Sequence, residues 1–239
     1  MVYFYKNMAV LCGRMETSRF GECFGLFAKG AQTIIMAEKN ECVINAKSYD
    51  KIAGQWAQVR GKHLPGSLIV NFATKLKPLG EVLDIGCGTG YPIASYLSQR
   101  GFHVTGIDVS ENMVQKAIEQ GIPNARFFLC DFYDYKPDRC YDGVVAFDSF
   151  FHFPKQRQRE IYQKVSAWMR EGAYLLFTHG KEDSEIEGSM FGESFYYSAL
   201  ETQEVHRLLL QAGFSIELSV KGYREGDNER DLVIVAKKQ

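Results

Sequence analysis

The stretch Val82-Leu83-Asp84-Ile85-Gly86-Cys87-Gly88-Thr89-Gly90 decides the fold of this 239-residue chain. Four residues with the pattern of a short buried strand lead directly into three glycines, each separated from the next by one residue, and a helical pattern follows around Pro92. Glycine adopts positive φ and has no side chain, so a ligand can approach the backbone amides at the start of that helix. The sequence therefore predicts a ligand pocket at the carboxyl end of this strand.

Apolar segments alternate with amphipathic ones on both sides of the glycine loop. Strands are predicted at Glu81–Ile85, His103–Ile107, Ala125–Cys130, Gly143–Phe147, Ala173–Thr178, Phe214–Val220 and Asp231–Ala236. Helices are predicted near 47–60, 65–77, 92–100, 110–120, 155–169 and 201–212. Repeated strand–helix–strand units indicate parallel pairing, and the polar segment Lys221–Arg230 is typical of an antiparallel hairpin. The predicted fold is α/β: a Rossmann-like, doubly wound, mostly parallel seven-stranded sheet with an antiparallel last strand.

Residues 1–46 differ in character from the rest, because they hold three of the six cysteines and show no sustained hydrophobic period. We expect an N-terminal extension over residues 1–46 and one domain over residues 47–239, which is long enough to bury a full core.

Composition limits the class of partner. The chain has 28 Lys and Arg against 29 Asp and Glu, so no global field attracts nucleic acid or an anionic membrane. No apolar run is long enough for a bilayer span, and the cysteines lack C-x-x-C spacing, which favours reduced thiols in a cytoplasmic protein. We expect a small-molecule partner. An RNA substrate remains an alternative because Lys155, Arg157 and Arg159 cluster locally, and the oligomeric state stays open.

The glycine spacing also discriminates between cofactors. A dinucleotide fingerprint would place Gly or Ala at the position held by Tyr91, and no G-K-[ST] sequence forms a nucleotide P-loop. Asp108 ends the second predicted strand, 20 residues after Gly88, where a carboxylate binds ribose hydroxyls of either kind of cofactor. An NAD-linked oxidoreductase is therefore a disfavoured alternative.

Asp84-Ile85-Gly86-Cys87-Gly88-Thr89-Gly90 with the later Gly106-Ile107-Asp108-Val109-Ser110 resembles the first two motifs of class I S-adenosylmethionine-dependent methyltransferases over roughly residues 47–239. The resemblance implies S-adenosylmethionine as cofactor. It places Asp84 and the three glycines around the methionine part, Asp108 on the ribose and Asp131-Phe132 at the adenine. The implied cofactor-binding set is Tyr49, Asp84, Gly86, Cys87, Gly88, Gly90, Asp108, Val109, Asp131, Phe132 and Phe147.

Tyr49 enters that set because Tyr49-Asp50-Lys51-Ile52-Ala53-Gly54-Gln55-Trp56 is similar to the Y-D-x-x-A-x-x-W opening of many small-molecule members of the superfamily. The similarity implies that Tyr49, and more weakly Trp56, lies over the methionine end of the cofactor. Simple core packing requires the same helical spacing, so that interpretation stays open.

Methyl transfer is an in-line displacement that needs alignment, exclusion of water and, for some acceptors, removal of a proton. His152 is the first candidate base, because it follows the fourth predicted strand and imidazole titrates near neutrality. His179, after the fifth strand, is the second. Packing of His152 among phenylalanines and a surface-loop position for His179 are the alternatives. The insertion Lys181–Ala199 is either a lid or a hairpin that packs on itself.

The sequence thus favours a methyltransferase that acts on an oxygen, nitrogen or carbon atom of a small molecule. The N-P-P-[YFW] signature of enzymes that methylate amino groups of DNA and protein is absent. A non-catalytic cofactor-binding domain with a protein partner remains the alternative from another class.

Overall fold

The computed structural model describes residues 44–60, 64–226 and 228–239. The predicted extension over residues 1–46 therefore lies almost entirely outside the described residues. The helix predicted from residue 47 is described from residue 44 onward. Within the described ranges, no helix has both the length and the apolar character that crossing a bilayer requires.

A helix lies between β1 and β2, between β2 and β3, and between β4 and β5, as the pattern predicts. The helices are α1 (residues 44–60), α2 (Ser67–Lys75), α3 (Ile93–Gln99), α4 (Glu111–Glu119), α5 (Gln158–Trp168) and α6 (Thr202–Gln211). The strands are β1 (Glu81–Ile85), β2 (His103–Asp108), β3 (Ala125–Leu129), β4 (Tyr141–Ala146), β5 (Met169–His179), β6 (Ser184–Met190), β7 (Glu193–Ala199), β8 (Phe214–Glu225) and β9 (Asn228–Lys238).

Seven strands form one sheet in the order β3-β2-β1-β4-β5-β9-β8. Strand β1 pairs in parallel with β2 and with β4, whereas β9 runs antiparallel to both β5 and β8. The predicted fold class is confirmed, including the antiparallel last strand. The chain leaves β1 toward β2 on one side and returns to β4 on the other, so a crevice opens outside the carboxyl ends of β1 and β4.

Both faces of the sheet are buried because alternate residues of each strand face different helices. Leu83 and Ile85 of β1 belong to a core cluster with residues of α5 and α6. Val82 belongs to a second cluster with residues of α2 and α3. The two layers fix the strand ends, and with them the side chains that face the crevice.

The insertion Lys181–Ala199 forms the antiparallel hairpin β6–β7, whose strands pair only with each other. The hairpin packs against α1: the ring of Phe195 lies 4.8 Å from that of Tyr49, and the Ser48 hydroxyl donates to the carbonyl of Ser194 at 2.6 Å. It therefore supports the helix that lies over the crevice.

Candidate active site

The crevice is a cavity of about 530 Å³ at the carboxyl ends of the parallel strands. A volume of this size is typical of small-molecule and cofactor sites. The predicted residues that lie on its wall are Tyr49, Asp84, Gly86, Cys87, Gly88, Asp108, Val109, Asp131, Phe132, Phe147 and His152. Gly90 and His179 do not lie on this wall.

The glycine loop is held against the end of β2. The amides of Gly86 and Cys87 donate to the carbonyl of Ile107 at 2.9 and 3.1 Å. A Cβ atom on Gly86 would lie 2.5 Å from the Cβ atom of Ser149, whereas one on Gly88 would meet only the indole nitrogen of Trp56 at 3.6 Å. Gly86 thus permits close approach of the segment after β4, and Gly88 keeps the backbone open to the cavity.

Gly90 has a different reason to be glycine. Its φ is +78°, and a Cβ atom there would lie 2.8 Å from the side chain of Ile122 and 3.1 Å from the ring of Phe127. The residue packs against the protein interior, so we withdraw the prediction that Gly90 touches the cofactor. Glycine at this position lets the loop pack closely against the sheet.

Asp108 ties the loop to the start of α4. Its Oδ2 accepts the amide hydrogen of Gly88 at 2.9 Å, and its Oδ1 accepts that of Ser110 at 2.9 Å. Burial raises the pKa of Asp108 above its usual value, although these two bonds oppose the rise. Each carboxylate oxygen retains a lone pair, so the pair of oxygens fits the two hydroxyls of a ribose.

Asp84 lies below the loop with 2% of its surface exposed. Burial raises the pKa of Asp84 to about 7, and the nearby charge of Asp108 adds to the rise. No donor among the described residues hydrogen-bonds to this carboxylate, although it lies on the cavity wall. An ionised carboxylate in such a place is stabilised by a cationic ligand group, and the ammonium of a methionine moiety is of that kind.

The end of β3 supplies a flat apolar surface beside a carboxylate. Phe132 is buried, and its ring centroid lies 5.1 Å from that of Phe153. Asp131 accepts the amide hydrogen of Tyr133 on Oδ1 at 2.7 Å. Its other oxygen has no donor among the described residues, so a purine amino group fits here. Val109 on the neighbouring strand end is partly exposed on the same wall.

Tyr49 and His152 form a hydrogen-bonded pair on the opposite wall. The Tyr49 hydroxyl lies 2.7 Å from Nε2 of His152, while Nδ1 lies 3.0 Å from the carbonyl oxygen of Tyr196. Burial lowers the pKa of His152 to about 4, so the ring is neutral at pH 7. Nδ1 also lies 3.2 Å from the side-chain nitrogen of Asn45, but that nitrogen has two carbonyl acceptors, those of Tyr196 at 2.9 Å and His152 at 3.3 Å. We therefore assign the ring hydrogen to Nδ1, so that Nε2 accepts from Tyr49. Burial also raises the pKa of Tyr49, so its hydroxyl stays protonated.

His179 is buried inside the protein instead. Its Nε2 lies 3.1 Å from the side-chain oxygen of Gln158, and its Nδ1 lies 2.9 Å from the carbonyl of Gly180. Burial lowers the pKa of His179 to about 4. Both ring nitrogens are engaged away from the cavity, so we withdraw its assignment as a second base.

Four charged residues on the cavity wall were not among the predicted site residues: Arg60, Asp148, Glu225 and Arg230. Asp148 follows Phe147 directly at the end of β4, which is a position that could have been considered. Arg230 lies in the segment interpreted as a polar turn, and Arg60 ends a helix; neither position carries a recognisable signal.

A family model described as a methyltransferase domain matches residues 82–172, which include the glycine loop and the ends of β2, β3 and β4. This segment of the chain is therefore similar to a methyltransferase domain. Domains of this class use S-adenosylmethionine, and the cavity described above fits that cofactor.

Among relatives of this chain, phosphoethanolamine N-methyltransferase 1 of Arabidopsis thaliana is 27% identical over 147 residues, which is 59% of the chain and 30% of the plant protein. The (+)-O-methylkolavelool synthase of Herpetosiphon aurantiacus is 27% identical over 171 residues, which is 64% of the chain and 56% of that protein. The chain thus spans about a third to half of the length of these relatives.

The methyltransferase fold is also seen in the 1,6-didemethyltoxoflavin-N1-methyltransferase of Burkholderia thailandensis, crystallised with 1,6-didemethyltoxoflavin and S-adenosylhomocysteine. The two structures superpose with a TM-score of 0.65 at 17% identity, covering 84% of this chain and 90% of that one. At this identity the likeness concerns the fold.

Proposed function

We propose that this chain transfers the methyl group of S-adenosylmethionine to an oxygen, nitrogen or carbon atom of a small molecule. The observation that carries the proposal is the arrangement at the tip of β1: an open glycine backbone at Gly88, the bidentate acceptor Asp108, and the buried unpaired carboxylate of Asp84. These groups match the backbone, ribose and ammonium contacts that the donor requires.

The cofactor supplies an electrophilic methyl group on a sulfonium, and the protein aligns and shields it. Tyr49 lies on the cavity wall, and its hydroxyl donates its hydrogen to Nε2 of His152. A proton released by the acceptor can therefore pass to the Tyr49 oxygen while the Tyr49 proton moves to His152. In this scheme His152 is the base that receives the proton, and Tyr49 relays it.

The relatives support a small acceptor without fixing its identity. The names of these two relatives indicate phosphoethanolamine for one and a kolavelool ether for the other. A cavity of about 530 Å³ accommodates a donor and a small acceptor. An NAD-linked oxidoreductase is not favoured, because Tyr91 lies on the cavity wall where the dinucleotide fingerprint has its third glycine.

Two measurements test the proposal in order. Calorimetric titration with S-adenosylhomocysteine checks the cofactor site, with NADH as the competing ligand. Transfer of a tritiated methyl group to a panel of small alcohols, phenols and amines then checks the reaction, with mass spectrometry of the product. Binding of NADH without binding of S-adenosylhomocysteine would overturn the proposal. Cofactor binding without any transfer would favour the non-catalytic alternative.

We assign this activity to residues 47–239 and propose a cytoplasmic protein that does not act on nucleic acid. The nearly balanced charge of the chain supports the last point. The described cysteines Cys87, Cys130 and Cys140 are free thiols, which agrees with a reducing compartment.

A further inference from the structure

A charged cluster lies on the cavity wall where β4 ends and β9 begins. Arg230 binds Asp148 through two nitrogens, with Nε donating to Oδ1 and Nη2 donating to Oδ2, both at 3.1 Å. Arg60, the last described residue of α1, donates through Nη2 to Oδ2 of the same carboxylate at 2.9 Å. Two guanidinium groups therefore share one carboxylate.

The cluster has a fixed geometry. Asp148 has a φ of +57°, and its amide donates to the Thr178 hydroxyl at 2.8 Å. The guanidinium carbon of Arg230 lies 4.3 Å from the ring centroid of Phe147, so the group is held between an aromatic face and a carboxylate. A preorganised guanidinium of this kind loses little entropy when it binds a planar or tetrahedral anion.

The cluster also has unused charge and unused donors. Two positive groups and one negative group leave one positive charge, on side chains that are only 14% (Arg230) and 24% (Arg60) exposed. Nη1 of Arg230 has no acceptor among the described residues. Glu225 lies on the same wall and makes no ion pair with either arginine; its carboxylate accepts the amide hydrogen of Ser67, and its negative charge lowers the net charge of this wall without occupying the free Arg230 donor. A largely buried guanidinium with a free donor offers an anion a charge-assisted hydrogen bond.

From this geometry we infer that the cluster binds an anionic group, a carboxylate or phosphate, of the methyl acceptor, with Arg230 as its specificity-determining residue. The inference rests on the proposed function. A carboxylate is also part of the methyl donor, so two sources of the anion compete. Strand β9 lies three strands from β1, but the guanidinium of Arg230 reaches Asp148 at the end of β4, the strand next to β1, so the experiment has to distinguish the two sources.

The test uses the complex with S-adenosylhomocysteine, in which the donor's own carboxylate is already present. Calorimetry measures the binding of phosphoethanolamine and of ethanolamine, which differ in the phosphate alone, and of inorganic phosphate. We expect phosphoethanolamine to bind at least about tenfold more tightly than ethanolamine, through charge-assisted bonds to Arg230. Arg230→Gln should remove this difference and weaken phosphate binding by a similar factor, while Arg230→Lys retains part of both.

Arg224→Gln is the matched control, because Arg224 lies on the same β8–β9 hairpin, is exposed and pairs with Glu229 at 2.6 Å. It should change none of these affinities, and thermal unfolding should show that every variant is folded. Equal binding of the two amines to the wild-type complex, including no binding of either, overturns the inference. So does an Arg230→Gln variant that loses affinity for S-adenosylhomocysteine to the same extent as for phosphate, since the cluster would then hold the donor. If the wild-type protein does not bind S-adenosylhomocysteine at all, the proposed function is refuted instead. Binding of inorganic phosphate to the ligand-free protein then tests whether the cluster binds an anion.

Discussion

Replacing Asp108 with Asn should weaken binding of the cofactor while leaving the fold intact. In the structure each oxygen of Asp108 accepts one backbone amide hydrogen, from Gly88 and from Ser110. Each oxygen then has one lone pair left for a ribose hydroxyl. An asparagine keeps one such oxygen and presents an NH₂ group where the other was, so one ribose contact is lost and the other loses its charge.

The magnitude follows from these contacts. A hydrogen bond to a charged group contributes about 1.5–3 kcal/mol. The substitution also removes the acceptor of one backbone amide, but this loss is the same with and without ligand and therefore largely cancels in the binding free energy. Since Asp108 is partly exposed, we expect a net loss of about 1–3 kcal/mol, which raises the Kd for S-adenosylhomocysteine about 5- to 150-fold.

Isothermal titration calorimetry with S-adenosylhomocysteine measures this change directly. Asp142→Asn is the matched control. Asp142 also accepts a backbone amide hydrogen, from Glu81 at 2.9 Å, but it lies near the start of β4, at the end of the parallel strands opposite to the cavity. The control should bind the ligand within about twofold of the wild type. An Asp108→Asn protein with unchanged affinity would remove Asp108 from the site and with it the ribose assignment.

Three further changes test other parts of the site. His152→Ala should lower kcat by about 100-fold or more with little effect on donor affinity, as measured by initial rates and calorimetry, and a silent variant would favour pure packing. Because burial raises the pKa of Asp84 from 3.8 to about 7, the ligand-free protein should lose stability as pH rises from about 4 to about 7. Urea unfolding should show that Asp84→Asn abolishes this loss. A wild-type protein whose free energy of unfolding stays constant over this pH range would contradict the prediction. Gly90→Ala should lower the free energy of unfolding by about 1–3 kcal/mol more than Gly121→Ala, since both have positive φ but only Gly90 meets close neighbours; equal losses would exclude the clash.

The sheet could be predicted from the sequence because periodic burial and glycine geometry are local properties. The strands predicted around the glycine loop were found with small shifts of their ends, and Asp84, Asp108 and Asp131 reach one cavity because parallel strands end at one edge. The same reasoning could not separate Gly88 from Gly90. Both follow β1 in the same spacing, and only the neighbours Ile122 and Phe127, distant in sequence, decide that Gly90 faces the interior.

The histidines show the same limit. His152 lies in the turn after β4 and pairs with Tyr49 on the cavity wall, whereas His179 is the last residue of β5 and pairs with Gln158 in the interior. The sequence pattern ended the fifth strand at Thr178, one residue too early, and the turn that orients His152 has no short sequence signal. The pairing of Arg60 with Arg230 across Asp148 joins residues 170 positions apart, so it is visible only in the folded chain.

One consequence of the helix start concerns where a shortened gene for this protein should begin. Asn45 is 3% exposed and bonds the backbone of Tyr196 in both directions: it accepts that residue's amide hydrogen at 2.8 Å and donates to its carbonyl at 2.9 Å. Its side-chain amide thereby imitates a neighbouring strand, and the same carbonyl orients His152. A truncation that starts at residue 47 begins two residues too late and loses this link. A clone that retains Asn45 keeps the contacts that join the hairpin, the helix and His152.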